Sequence, residues 1–246
     1  MAAANNAINN TVGAAISGVT NTLTVTNGSN TASSVALTNI TVGGTSSGDP
    51  FLTYTVAGTT NWSEGIDNSD SDAYVLAAST ALGTTNVIHA TTAGEVTLPL
   101  QPAFQAYLPS QDDNVTGDGT NWQLGSVTAL TERFDVNGDF NTNGTFTAPV
   151  TGKYFLSSTF YFLGLTASHT TNFMYITTSN FNYSSGDISA AARTANDALQ
   201  MSCTILADMD AADTAVTVLI CSNGTKVVDV GGQAQADTFF LGCLIC

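Results

Sequence analysis

Apolar residues in this chain come in short alternating runs, and turn-forming residues break the runs about every 8–12 positions. Val35 with Leu37, Ile40 with Val42 and Val96 with Leu98 each place side chains on one face of an extended segment, because successive strand residues point to opposite sides. Asn27-Gly28-Ser29-Asn30, the loop from Gly43 to Pro50 and Thr91-Thr92-Ala93-Gly94 separate such runs. Loosely helical spacing occurs at Ile8, Val12, Ile16 and Val19, where Asn and Gly dilute it. The pattern predicts an all-β chain. Composition agrees where it decides. Helix surfaces favour Lys, Glu, Arg and Gln, yet only 9% of residues are charged, so Thr, Ser, Asn and Gly must form the polar surface. The 43% of apolar residues is enough for a core and speaks against disorder.

The charge balance excludes further classes. Four Lys+Arg face 19 Asp+Glu, a net charge of −15, and the basic residues are Arg133, Lys153, Arg193 and Lys226. No basic face is available for nucleic acid or for an anionic membrane surface. No apolar run is long enough for membrane insertion, and the segment after Met1 has neither the basic nor the apolar part of a secretory leader. A virion component released by lysis needs none of these. The expected location is therefore a virion or the extracellular space.

Pro99-Leu100-Gln101-Pro102 resists both helix and central strand and marks a boundary. The expected organisation is an N-terminal assembly or docking segment over 1–25, a β module over 26–100 and a head over 101–246. Aromatic residues concentrate after the boundary. Strands are expected there at 103–108, 121–127, 130–135, 144–148, 152–164, 171–178, 198–206, 214–221, 225–229 and 236–245. About ten antiparallel strands in this length indicate a sandwich or jelly roll.

Three blocks carry a closer resemblance. Pro102-Ala103-Phe104-Gln105-Ala106 opens the head. Phe134-Asp135-Val136-Asn137-Gly138-Asp139-Phe140 follows, continuing through Gly144, Phe146, Pro149 and Gly152 to Tyr154-Phe155. Thr238-Phe239-Phe240-Leu241-Gly242 closes it. In order and separation these resemble the complement C1q globular-head family, related to the tumour necrosis factor jelly rolls. The resemblance implies a ten-strand jelly roll that packs as a homotrimer. Its motif residues here are Phe104, Ala106, Phe134, Phe140, Gly144, Phe146, Pro149, Gly152, Tyr154, Phe155, Thr238, Phe239 and Gly242. A jelly roll pairs its first and last strands, so Phe104 and Phe239 are expected to lie close. Upstream, the run from Trp62 to Asp72, Leu82-Gly83-Thr84 and Gly94-Glu95-Val96 are similar to repeat units of bacteriophage tail fibres.

Catalytic chemistry finds little support. The two histidines, His89 and His169, fall in different halves, and acyl transfer needs a nucleophile, base and orienting group within reach. Asp67, Asp70 and Asp72, with Glu64 nearby, form an acidic loop that reads as a solvated turn, a calcium site or, least, a glycosidase pair. Asp139-x-Asn141-x-Asn143-Gly144 starts like a calcium loop but has Val150 at the twelfth position instead of Glu. Cys203, Cys221, Cys243 and Cys246 read as small buried side chains or as disulfides within or between subunits. No cofactor is required by this reading.

The expected protein is not an enzyme. It is a structural attachment protein, a trimeric phage tail fibre or virion appendage whose C1q-like head binds a host surface glycan or protein. Its partners are further copies of itself, other virion subunits and the host receptor. The loops Ser168–Thr171 and Asn180–Asp187 are the candidate contacts, since recognition concentrates in loops. The alternative is a subunit of a cellular extracellular filament or adhesin, with residues 1–25 inserted into the next subunit as a docking strand.

Overall fold

The computed structural model describes residues 25–32, 34–59, 61–185, 187, 197–235 and 237–246. The expected docking segment over 1–25 lies outside these residues apart from Val25.

No strand forms between Val25 and Pro50 among the described residues. Val25, Val35, Leu37 and Ile40 stay exposed, which corrects the strands expected around them. Alternation alone makes no strand where no neighbouring edge supplies hydrogen bonds.

From Phe51 five strands run in sequence as an antiparallel meander: β1 (Phe51–Tyr54), β2 (Trp62–Asp67), β3 (Ala73–Ala77), β4 (Asn86–Ala90) and β5 (Val96–Thr97). One face is covered by a small cluster of Ala73, Val75, Ala77 and Leu82 with Phe51 against it. The other face carries Leu52, Tyr54, Trp62 and Tyr74, all exposed. Ser71 and Asp72 both have positive φ in the β2–β3 turn, a backbone state that short polar residues tolerate.

The rest of the chain is a two-sheet sandwich. Its eight principal strands are β6 (Ala103–Tyr107), β11 (Thr145–Thr147), β12 (Gly152–Leu165), β13 (Thr171–Thr178), β14 (Asn182–Ser184), β15 (Asp197–Met209), β16 (Thr214–Ser222) and β18 (Phe239–Leu244). Counted from first to eighth, one sheet takes them in the order 1-8-3-6 and the other in the order 2-7-4-5. That is the connectivity of a jelly roll. Five short strands extend it: β9 (Thr131–Val136) beside β6, β17 (Val228–Val230) and β7 (Asp112–Thr116) beyond β12, β8 (Asn121–Gln123) beside β16, and β10 (Phe140–Asn141) beside β11.

The core lies between the two sheets. Phe104 stacks on Phe140 and Phe146 at 4.6 and 4.8 Å and meets Phe240 edge-on at 5.0 Å. Phe146 also meets Tyr154 at 5.4 Å, and the Tyr154 hydroxyl donates to the Val150 carbonyl at 2.7 Å. The first and last strands pair as expected, but the contact to Phe104 comes from Phe240, not Phe239. Phe104 lies opposite Gly242 in the ladder. A Cβ there would fall 2.8 Å from the Phe104 ring and 2.5 Å from Leu156, so the glycine makes room for the stack. Gly144 turns the chain at φ 87°, and a Cβ on it would sit 1.9 Å from the Leu124 carbonyl oxygen.

The motif residues therefore divide by side. Phe104, Ala106, Phe140, Phe146 and Tyr154 are buried between the sheets, whereas Phe134 and Phe155 are exposed and Phe239 is half-buried. Thr238 is buried and ties two segments, donating to the Gly231 carbonyl and accepting from the Tyr161 N–H.

Candidate functional site

The sandwich has two ends: Ser168–Thr171 lies at one, while Asn180–Asp187 starts at the other and Asp187 reaches back to accept the Asn172 N–H at 2.8 Å beside Thr171. β12 begins at Gly152 and β18 ends at Leu244 at the end nearer the meander, with the Lys153 N–H bonded to the Cys246 carbonyl. β12 finishes and β13 begins at the far end, which holds Ser168–Thr171. The turn from Thr178 to Asn182 belongs to the near end.

At the far end a buried histidine ties two loops together, and backbone hydrogen bonds add a third. The Thr166 N–H donates to His169 Nδ1 at 2.9 Å, and His169 Nε2 lies 3.0 Å from the Thr225 carbonyl oxygen. Nδ1 thus accepts, so Nε2 carries the proton and donates. Gly224 leaves space for the ring, since a Cβ there would lie 2.4 Å from it. The Gly224 N–H donates to the Gly117 carbonyl, while Gly117 and Gly119 both donate to the Cys221 carbonyl. Asn223 reaches Thr170 and Thr171 with its amide nitrogen. Hydrogen bonds from Thr120 hold the Asp118 carboxyl below the usual carboxylate range. The result is a preordered polar surface of Asp118, Thr170, Thr171 and Asn223. His169 is committed to structural partners. His89, on β4, instead meets Asp70 at 2.9 Å.

The near end has two clefts. One, of about 430 Å³, is lined by Asn180, Phe181, Tyr183, Asp208 and Asp210. The other, of about 330 Å³, lies where the meander meets the sandwich and is mostly apolar, with Val87, Leu98, Leu100, Pro149, Val150 and Leu244.

A third feature runs across the outer face of the sheet that contains β12. Strand register aligns Val136, Ala103, Cys243, Phe155 and Leu206 in one row over five strands. The next row holds Phe134, Gln105, Leu241, Ser157 and Thr204. Phe134, Phe155 and Leu206 are exposed, Leu206 by 60%. The sequence flagged Phe134, Phe155 and Cys243 but missed Leu206 and Val136. Their signal was the strand alternation, which marks a face without saying which one.

The acidic loop is spread out. Asp67 is buried, and its Oδ1 accepts the Ser69 N–H and hydroxyl at 3.1 and 2.7 Å. Asp70 turns to His89, and Asp72 lines a separate hollow with Pro50 and Asn68. Among the described residues no group of three or more His, Cys, Asp or Glu is placed to hold a metal ion. The calcium-like segment opens at Asp139, in a turn where Asp135 accepts the N–H groups of Asp139 and Phe140. Burial, then the Asp135 charge, pushes the Asp139 carboxyl above the usual range. All four cysteines are free thiols. Cys203 and Cys221 are buried, Cys243 is half-buried and Cys246 is exposed. Burial pushes the Cys221 thiol up to about 12. Among the described residues no helix is long and apolar enough to cross a membrane.

No family model matches the chain, and no curated protein matches it. Solved structures do. The globular domain of zebrafish complement 1qA protein is 17% identical, with 59% of this chain and 98% of that chain covered at a TM-score of 0.41. Murine APRIL is 9% identical, covering 59% and 99% at 0.40, and an Eiger TNF from S. frugiperda is 12% identical, covering 59% and 94% at 0.41. The chain is similar to these C1q and tumour necrosis factor jelly-roll domains over 59% of its length.

Proposed function

We propose that this chain is the subunit of a homotrimeric attachment protein, a phage tail fibre or virion appendage, whose head engages a host surface glycan or protein. The observation that carries the reading is the outer row Val136, Ala103, Cys243, Phe155 and Leu206. A contiguous apolar row on an exposed sheet face marks an association surface, and closed symmetry is the usual outcome for identical chains. With that face buried around a three-fold axis, the histidine-stapled end is left as the outermost surface. Three copies then bind together, so weak single contacts sum to avidity.

The test is the native assembly imaged by electron microscopy, with mass measured in solution. A closed trimer that Phe155→Glu and Leu206→Glu convert to monomer is the expected result. A wild-type monomer overturns the reading. The apolar cleft at Leu98, Pro149 and Leu244 favours a second reading, a filament subunit that receives an extended segment from its neighbour. An open helical polymer would decide for it.

A further inference from the structure

The exposed face of the meander has its own polar centre. Trp62 and Tyr54 are directly opposite each other across β1 and β2, and Glu64 follows Trp62 on the same face. The Tyr54 hydroxyl donates to Glu64 Oε1 at 2.5 Å, and the Tyr74 hydroxyl donates to Oε2 at 3.1 Å. The hydrogen bond to Glu64 pushes the Tyr54 phenol above its ordinary value; burial, then the same carboxylate, does so for Tyr74. Tyr54, Trp62 and Tyr74 nevertheless remain 52%, 41% and 42% exposed. The carboxylate is thus held by two tyrosines, with Trp62 on the same face, and all three rings still face solvent.

We infer that Tyr54, Trp62, Glu64 and Tyr74 form a binding platform for the pyranose rings of a neutral or amine-bearing glycan. Each carboxylate oxygen accepts one tyrosine proton and keeps a further acceptor site. The ion pairs among the described residues are His89–Asp70 and Lys153–Asp208, so neither neutralises Glu64. An apolar protein surface laid over this face would strip water from that charge without repayment. A pyranose does not: its C–H face covers an aromatic ring while its hydroxyl or ammonium groups donate to the carboxylate. The net charge of −15 selects against anionic sugars. The platform stands apart from the head and does not depend on trimer formation.

Tryptophan fluorescence tests this on the full chain, because Trp62 is exposed and Trp122 is buried. Cellohexaose and a glucosamine hexamer are titrated while acrylamide quenching is followed. The expected result is protection of the exposed tryptophan, with the glucosamine hexamer binding tighter than cellohexaose. Glu64→Gln should weaken the glucosamine hexamer at least about tenfold, and Trp62→Ala should abolish cellohexaose binding measured by calorimetry, with the melting curve of each variant confirming a folded chain. No protection by either sugar at about 10 mM overturns the inference. So does equal or tighter binding of a hyaluronan hexasaccharide, or binding that Trp62→Ala leaves intact. Phe155→Glu should leave the sugar affinity unchanged, which separates failure here from failure of the trimer.

Discussion

The meander and the jelly roll are both antiparallel β-structures, yet they bury apolar surface very differently. The meander covers one face with Ala73, Val75, Ala77 and Leu82 and leaves Leu52, Tyr54, Trp62 and Tyr74 open on the other. The jelly roll turns the inner faces of two sheets towards each other and fills the gap with Phe104, Phe146, Phe160, Phe162 and Phe240. A single sheet has no second layer to complete its core, and small cores are marginal. The head is therefore the part expected to fold by itself, and the meander the part whose stability answers to what touches it.

Phe104→Ala attacks the contrast where it is strongest. Removing the ring at the centre of the Phe140, Phe146 and Phe240 contacts should cost about 3–5 kcal/mol, read as an earlier head transition in urea followed by Trp122 emission. A loss under about 1 kcal/mol would mean the stack is not the core's keystone. Gly144→Ala comes next, since it combines a left-handed backbone with a clash against Leu124. About 2–3 kcal/mol is expected from the same denaturation curve. Val75→Ala removes less, about 1.5 kcal/mol by lost apolar burial. Chymotryptic cleavage after Tyr54, Trp62 or Tyr74 should then accelerate while the head stays intact; simultaneous loss of both would join the two regions into one folding unit. Asp139→Asn should have the smallest effect, and it should be stabilising. The folded carboxyl titrates above its ordinary 3.8, so its contribution is full below that pH and is lost as pH rises through the folded value. The variant should melt slightly higher than wild type at pH 7 and equally at pH 3.

Much of the head was legible because its long strands have strong alternation. β13 occupies the expected 171–178, and β12 ends one residue beyond the expected 164. β7 was not legible: Asp112-Asp113-Asn114-Val115-Thr116 looks like a turn, and only pairing with β17 makes it a strand. The choice between Phe239 and Phe240 was equally hidden. Two adjacent aromatics satisfy either parity, and Gly242 opposite Phe104 settles the register. The loop Ser168–Thr171 was singled out, but the histidine staple that orders it was hidden for another reason. His169 works through the Thr166 N–H and the Thr225 carbonyl, which every residue carries and no pattern displays. On the meander, the segment around Trp62 stood out, but the two tyrosines that orient Glu64 come from different strands and meet it only in three dimensions.

The position of the head's two ends has a mechanical consequence. β6 begins and β18 finishes side by side, where the Leu244 N–H donates to the Pro102 carbonyl and the Gln101 amide donates to the Leu244 carbonyl. A load applied between those points would peel the pair apart one hydrogen bond at a time. A load that enters at the far loops and leaves through Gln101 instead runs along the strands, perpendicular to the ladder bonds. Between β6 and both its neighbours, β18 and β9, those bonds then share the tension in parallel. The same domain is weak to one direction of pull and strong to the other, and the strong direction is the one felt by a tether fixed through the meander and gripped at the tip.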